Sequence, residues 1–221
     1  MARERPALLL RLARIWAFPL WFVATRSRAA QDIRADVDWW VECLKDEQLA
    51  ALDQATRFAF FTGALPEFRT LVHYRLRSGI SLPIRLLMRA LYPGQEAIIL
   101  EPDSLGPACF IQHGIATLVA AKSIGSHFWL NQQVTIGFTA KGMPTIGDHV
   151  TIGAGALVLG DITLHDGAVV GANATVLKDV GPDEVVVGPM ATVLKRRDLS
   201  RQDLTGQDDA APGGAPTPGT G

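Results

Sequence analysis

Two rhythms of apolar residues divide the chain. Between residues 31 and 91 they recur three and four apart, as in "IRADVDWWVECL" and "EQLAALDQATRFAFF", a spacing that predicts amphipathic helices. "LPEFRTLVHYRL" and "SLPIRLLMRALYP" each carry a proline in what would be the first helical turn, where its missing N–H costs little. Pro93-Gly94 closes this zone. From residue 98 to 194 the interval becomes six. Ile146, Ile152, Val158, Leu164, Val170 and Val176 form one column, Leu118, Ile124, Leu130 and Ile136 a second, and Ile99, Leu105 and Ile111 a third. A helix turning every 3.6 residues drifts against a strict period of six, whereas short strands joined by turns keep it. Glycine follows the aliphatic at 106, 125, 137, 147, 153 and 171, and Ala156, Ala168 and Ala174 stand four places on. The pattern predicts an α+β chain: a helical region over 31–97, then a parallel β-helix of hexapeptide repeats over 98–195. Three flat faces make a coil, and coils stack about 4.8 Å apart. Residues 196–221 hold almost nothing to bury and predict a disordered tail.

The period slips twice. One extra residue lies between Ile111 and Leu118, and four lie between Ile136 and Ile146. Extra residues in a stacked solenoid must leave it at a corner. The first slip carries His113 and the second is the loop "GFTAKGMPT". Inward positions are apolar throughout, so a histidine expelled at a corner is poorly explained as a packing residue.

The first thirty residues follow another logic. Residues 1–28 hold Arg3, Arg5, Arg11, Arg14, Arg26 and Arg28 against Glu4 alone, around the apolar, aromatic "IWAFPLWFVAT". Eleven residues are too few to cross a bilayer. On a helical wheel Leu8, Leu12, Ile15 and Trp16 share a face with Arg11 and Arg14 to one side, the pattern of a helix lying on an anionic membrane surface or packed on another subunit. The whole chain carries a net charge of -1, which argues against nucleic acid as a partner. The two cysteines, Cys43 and Cys109, match neither a disulfide framework nor a metal-ligand spacing. A reducing cytoplasm fits them, with the inner membrane face as a site of association.

"GPACFIQHGIATLV", "LNQQVTIG", "PTIGDHVTIGAGALVLGDITL", "VVGANATVLKDV" and "VVVGPMATVLK" resemble the coils of the left-handed β-helix acyltransferases, especially the serine O-acetyltransferase-like branch. "FRTLVHYRL" resembles the helical part that precedes the β-helix there. The resemblance implies acetyl transfer from acetyl-CoA to a hydroxyl, without a metal, in a homotrimer whose pairing into hexamers is left open. It implies His113 as the general base, a role to which imidazole is suited near neutral pH. By similarity the turns at Ala154 and Ala172, with Leu177, Lys178 and Lys195, would hold acetyl-CoA. Gln112, Gln132 and Thr139 are candidates for holding the acceptor.

The chain also departs from that branch. Where serine acetyltransferases have an acid before the histidine, it has Gln112. Where they place an orienting aspartate about fifteen residues earlier it has Ile98 and Ile99, with Glu101 and Asp103 nearby as substitutes. Where their long loop carries Arg-His it has Gly142-Met143. The missing groups would hold a small zwitterionic amino acid, which makes a sugar or lipid-linked glycan precursor the alternative acceptor; the overall match, "FRTLVHYRL" included, keeps serine the leading one. A zinc enzyme on the same scaffold would need three converging histidines. His127 and His149 fall in equivalent places one coil apart, but His165 is out of phase with them. A non-catalytic scaffold explains the repeat but neither of its breaks.

Overall fold

The computed structural model describes residues 6–192, so the tail over 196–221, Lys195 and Arg3 to Arg5 lie outside the described residues. Up to Pro189 the chain forms one unit. It opens with α1 (Ala7–Arg26), α2 (Ala30–Leu44), α3 (Glu47–Ala50), α4 (Gln54–Ala64), α5 (Pro66–Arg75) and α6 (Leu82–Leu91). Local chemistry sets the ends of these helices. Asp46 caps α3 by accepting from the Leu49 amide, Asp53 caps α4 by accepting from the Thr56 amide, and Pro66 and Pro83 sit in the first turns of α5 and α6. The apolar stripes converge on Trp40, whose ring packs against Phe61, Phe68 and Phe110. Its indole N–H donates to the Cys109 carbonyl at 2.7 Å, tying α2 to the first coil of the β region.

α1 is longer than the eleven-residue apolar run. Its 20 residues are enough, by length and composition, to cross a membrane. One stripe of it, Ala17, Leu20 and Ala24, is buried, and the Trp21 ring packs at a tilt against Phe58 of α4. The opposite stripe stays bare.

Among the described residues thirteen short strands follow, all paired in parallel and sorted into three sheets. The first holds β1 (Ile98–Leu100), β3 (Thr117–Val119), β6 (Thr135–Gly137), β9 (Leu157–Leu159) and β12 (Thr175–Val176). The second holds β4 (Ser123–Ile124), β7 (Thr145–Ile146) and β10 (Thr163–Leu164), extended by single bridges at Leu105 and Val180. The third holds β2 (Cys109–Ile111), β5 (Phe128–Leu130), β8 (Thr151–Ile152), β11 (Val169–Val170) and β13 (Val185–Val186). The chain visits the sheets in turn, which is the three-faced coil that a period of six predicts. Close stacking sets the glycines: a side chain at Gly125 would lie 2.6 Å from the carbonyl carbon of Gly147 one coil on.

Two of the thirteen column positions face the other way. Ile99 pairs with Leu118, and Leu118 with Thr135, while Val119 pairs with the inward Ile136. Ile99 is 49% exposed, and the core is filled instead by Ile98 and Val119. The corner after Ile111 therefore carries two extra residues, and the next step, Val119 to Ile124, is one short. "TLV" offers an aliphatic in either phase, and a slip of one residue exchanges the two faces of a strand.

A buried ion pair fastens helices to coils. Arg75 on α5 meets Asp36 on α2 through two hydrogen bonds of 2.9 Å, both side chains being almost wholly buried. Arg75 also donates to the carbonyls of Leu105 and Gly106, and Asp36 accepts from the Cys109 amide. Burial works to lower Arg75, but the Asp36 charge and hydrogen bonds outweigh it and hold the guanidinium above its ordinary value. With donors on both carboxylate oxygens, the pair is ionic.

Candidate active site

The edge joining the third sheet to the first brings most of the expected residues together. Ile111, Leu130, Ile152 and Val170 are in register. The residues two places after each, His113, Gln132, Ala154 and Ala172, therefore follow one another along this edge. At about 4.8 Å per coil, Ala154 and Ala172 stand roughly 10 and 14 Å from the level of His113. Each of these turns needs left-handed backbone: Ala116, Gln133, Gly155 and Asn173 all have positive φ.

His113 itself has φ 67° and the following Gly114 φ 56°. Two left-handed residues in succession form the bulge that absorbs the extra chain length. The bulge can close only because residue 114 is glycine, since a side chain there would collide with Ile98 and Ile111. The result is an exposed imidazole on a corner whose backbone is fixed from behind. Holding a non-glycine residue at positive φ costs on the order of 1 kcal/mol or more, and such strain collects at functional positions.

A buried carboxylate near enough to interact with His113 comes from a helix. Glu67, in the first turn of α5, is 7% exposed and within electrostatic reach of His113. Burial pushes its carboxyl above the usual carboxylate range, while its own amide, His113 and Arg69 pull the other way. Glu101 is placed elsewhere. It follows β1, at the end of the strand away from Ile98 and Gly114, and its amide donates to the Val119 carbonyl. There it lines a cavity of about 580 Å³ with Thr70, His73 and Arg89. In sequence Glu67 reads as an ordinary acid at a helix start, and only the docking of α5 on β1 and β2 reveals it.

The acceptor candidates divide. Gln112 is engaged, its Oε1 accepting from the Trp129 indole at 3.2 Å. Gln132, one coil below His113, has a buried Oε1 without a partner, so it can accept a ligand's N–H or O–H. Thr139, Leu177 and Lys178 lie on a different edge, between the first and second sheets. Thr139 and Leu177 share a cavity of about 380 Å³ there with Lys141 and Asp161. Within one chain, the first sheet separates the two groups of residues.

His127 and His149 stack face to face, 4.4 Å between centroids, with Trp39 edge-on to His127. They occupy the edge between the second and third sheets, away from His113, and among the described residues no group of three metal-ligating side chains forms. Neither cysteine is activated: burial pushes Cys43 up to about 12, and Cys109, wholly buried, is raised as well.

Residues 143–178 match the bacterial transferase hexapeptide family, six repeats. Over 133 residues the chain is 39% identical to a serine acetyltransferase of Synechocystis sp., covering 58% of this chain and 47% of that protein. A probable serine acetyltransferase 2 of Oryza sativa is 31% identical over 188 residues, covering 81% of this chain and 52% of its own length. The chain thus spans about half the length of these curated relatives. Soybean serine acetyltransferase complexed with serine superposes with a TM-score of 0.53 at 28% identity, over 72% of this chain and 68% of that one. Serine acetyltransferase isoform 3 of Entamoeba histolytica, solved with cysteine, gives a TM-score of 0.56 at 23% identity, over 80% of this chain and 64% of that one.

Proposed function

We propose that this chain, a hexapeptide-repeat protein with the left-handed β-helix fold of the serine acetyltransferases, moves an acetyl group from acetyl-CoA to the hydroxyl of serine. The observation that carries the proposal is His113, held exposed on a two-residue left-handed bulge at the head of an edge that continues to Ala154 and Ala172. Serine is preferred to a glycan acceptor because the relatives described above are serine acetyltransferases.

In this reading the neutral imidazole of His113 takes the hydroxyl proton as the oxygen attacks the thioester carbonyl. The tetrahedral intermediate then collapses, the C–S bond breaks, and the sulfur leaves as CoA after receiving the proton back. Glu67 stabilises the imidazolium formed between the two proton transfers. The turns at Ala154 and Ala172 offer the cofactor backbone amides along the edge, and the unpaired Oε1 of Gln132 accepts from the serine ammonium or hydroxyl. Thr139, Leu177 and Lys178 belong to this site only if a neighbouring copy supplies them, and the proposal therefore includes a homotrimer. Residues 1–28 are proposed to contact a membrane surface. Steady-state CoA release from acetyl-CoA with L-serine, against nucleotide sugars and glycans, tests the assignment. Turnover with sugars alone would replace serine by the alternative acceptor.

A further inference from the structure

α1 and α6 contain five arginines and no acidic residue, and both leave large apolar side chains uncovered. On α1 the bare stripe runs through Leu8, Leu12, Ile15, Phe18 and Phe22, opposite the stripe packed on α4. A helix apolar on both faces needs a cover on each. α6 is barer still, burying only Met88 of its ten residues. Leu82, Leu86, Leu87 and Leu91 form a continuous strip at helical spacing, each at least half exposed. The two helices meet where Tyr92, just past α6, donates its hydroxyl to the Trp16 carbonyl at 2.6 Å and sets its ring edge-on to the Trp16 indole at 4.8 Å.

We infer that α6 is the second half of a two-helix docking face for an anionic lipid bilayer. The inference rests on the membrane contact proposed for residues 1–28. Three features select a bilayer over a second copy of the chain. Arg14 is paired with Asp53 at the start of α4, but the helices that carry the other four arginines contribute no carboxylate, so two such faces repel across a two-fold contact. Leucine and phenylalanine flanked by arginine is the composition that seats a helix at the headgroup boundary, where anionic lipids neutralise the charge. Trp16, 45% exposed where the helices join and braced from within by the buried Tyr92, is one of the residue types that settle at that boundary.

Co-sedimentation of the full chain with vesicles tests this, using phosphatidylcholine alone and phosphatidylcholine with about a third phosphatidylserine. Binding is expected to the anionic vesicles, weakening at least tenfold between low and physiological salt. Leu82→Gln combined with Leu86→Gln and Leu87→Gln should lower that binding at least tenfold, as should Leu12→Gln combined with Ile15→Gln. All these side chains are exposed, so an unchanged thermal melt will show that the variants fold. Loss of binding in the α1 variant with wild-type binding in the α6 variant overturns the two-helix face while leaving the contact of residues 1–28 intact. No binding to anionic vesicles by the unmodified chain overturns both. Variants that keep vesicle binding but change the oligomeric state by light scattering assign the face to a second copy and overturn the inference.

Discussion

At the residue scale the site is a contest between strain and use. His113 shares left-handed backbone with ordinary turn residues such as Ala116 and Gln133, but a second left-handed residue, Gly114, follows it and the imidazole is left exposed, so packing does not account for it. His113→Asn should lower turnover by about 10²- to 10⁴-fold, the usual contribution of a general base, without lowering the melting temperature. Stopped assays with acetyl-CoA and serine measure the first quantity and calorimetry the second; full activity would return His113 to a structural role. Glu67 gives a prediction of opposite sign in the two measurements. Its folded pKa is raised, so the folded state holds the proton more tightly than the unfolded chain does. Stability then falls as pH rises through the window from the ordinary glutamate value to the raised one, and above it the loss is complete. Glu67→Gln should therefore raise the melting temperature at pH 7 to 8 while slowing turnover about 10- to 100-fold, the size found for partners that orient a functional histidine. A variant both less stable and fully active would remove Glu67 from the site.

At the scale of elements, the period of six showed the solenoid and its interrupted corner, because side chains that alternate across thin faces leave a strict trace. It misjudged the phase where that trace is ambiguous, in "IIL" and "TLV", whose neighbours on both sides are aliphatic. Val119→Gln, which buries an amide in the solenoid, should cost several times more stability than Leu118→Gln on the half-exposed face; equal melting temperatures would contradict the register. Ala154 and Ala172 come from the likeness of their turns to the family's coils, and the register of the third sheet places them, with Gln132, along the edge that His113 heads. Glu67 was not legible, since the docking of α5 on the first coils depends on contacts distant in sequence. Arg75 and Asp36, 39 residues apart, make that docking. Asp36→Ala leaves the guanidinium buried and uncompensated, so it should cost about 3–5 kcal/mol in denaturant unfolding. A loss below 1 kcal/mol would mean that the aromatic cluster around Trp40 alone holds the helices.

At the scale of the whole molecule, the first sheet decides how many chains a site needs. His113, Gln132, Ala154 and Ala172 lie on one edge of it, and Thr139, Leu177 and Lys178 on the other. Between them the sheet turns Ile99 and Leu157 outward, partly exposed, a surface suited to a neighbouring copy. If copies pack around a three-fold axis, the His113 edge of one meets the Leu177 edge of the next, and each site draws on two chains. Complementation separates this from a site confined to one chain. His113→Asn removes one edge. Leu177→Arg, at a side chain 61% exposed, obstructs the other without disturbing the core. Each variant alone should be nearly inactive. Unfolded and refolded together in equal amounts, they should recover activity at roughly a quarter of the sites, because in a heterologous ring that fraction of contacts joins an intact edge to an intact edge. Sites confined to single chains would recover nothing, since every chain in the mixture carries one lesion. A stable monomer by light scattering at micromolar concentration would exclude the shared site before any mixing is done.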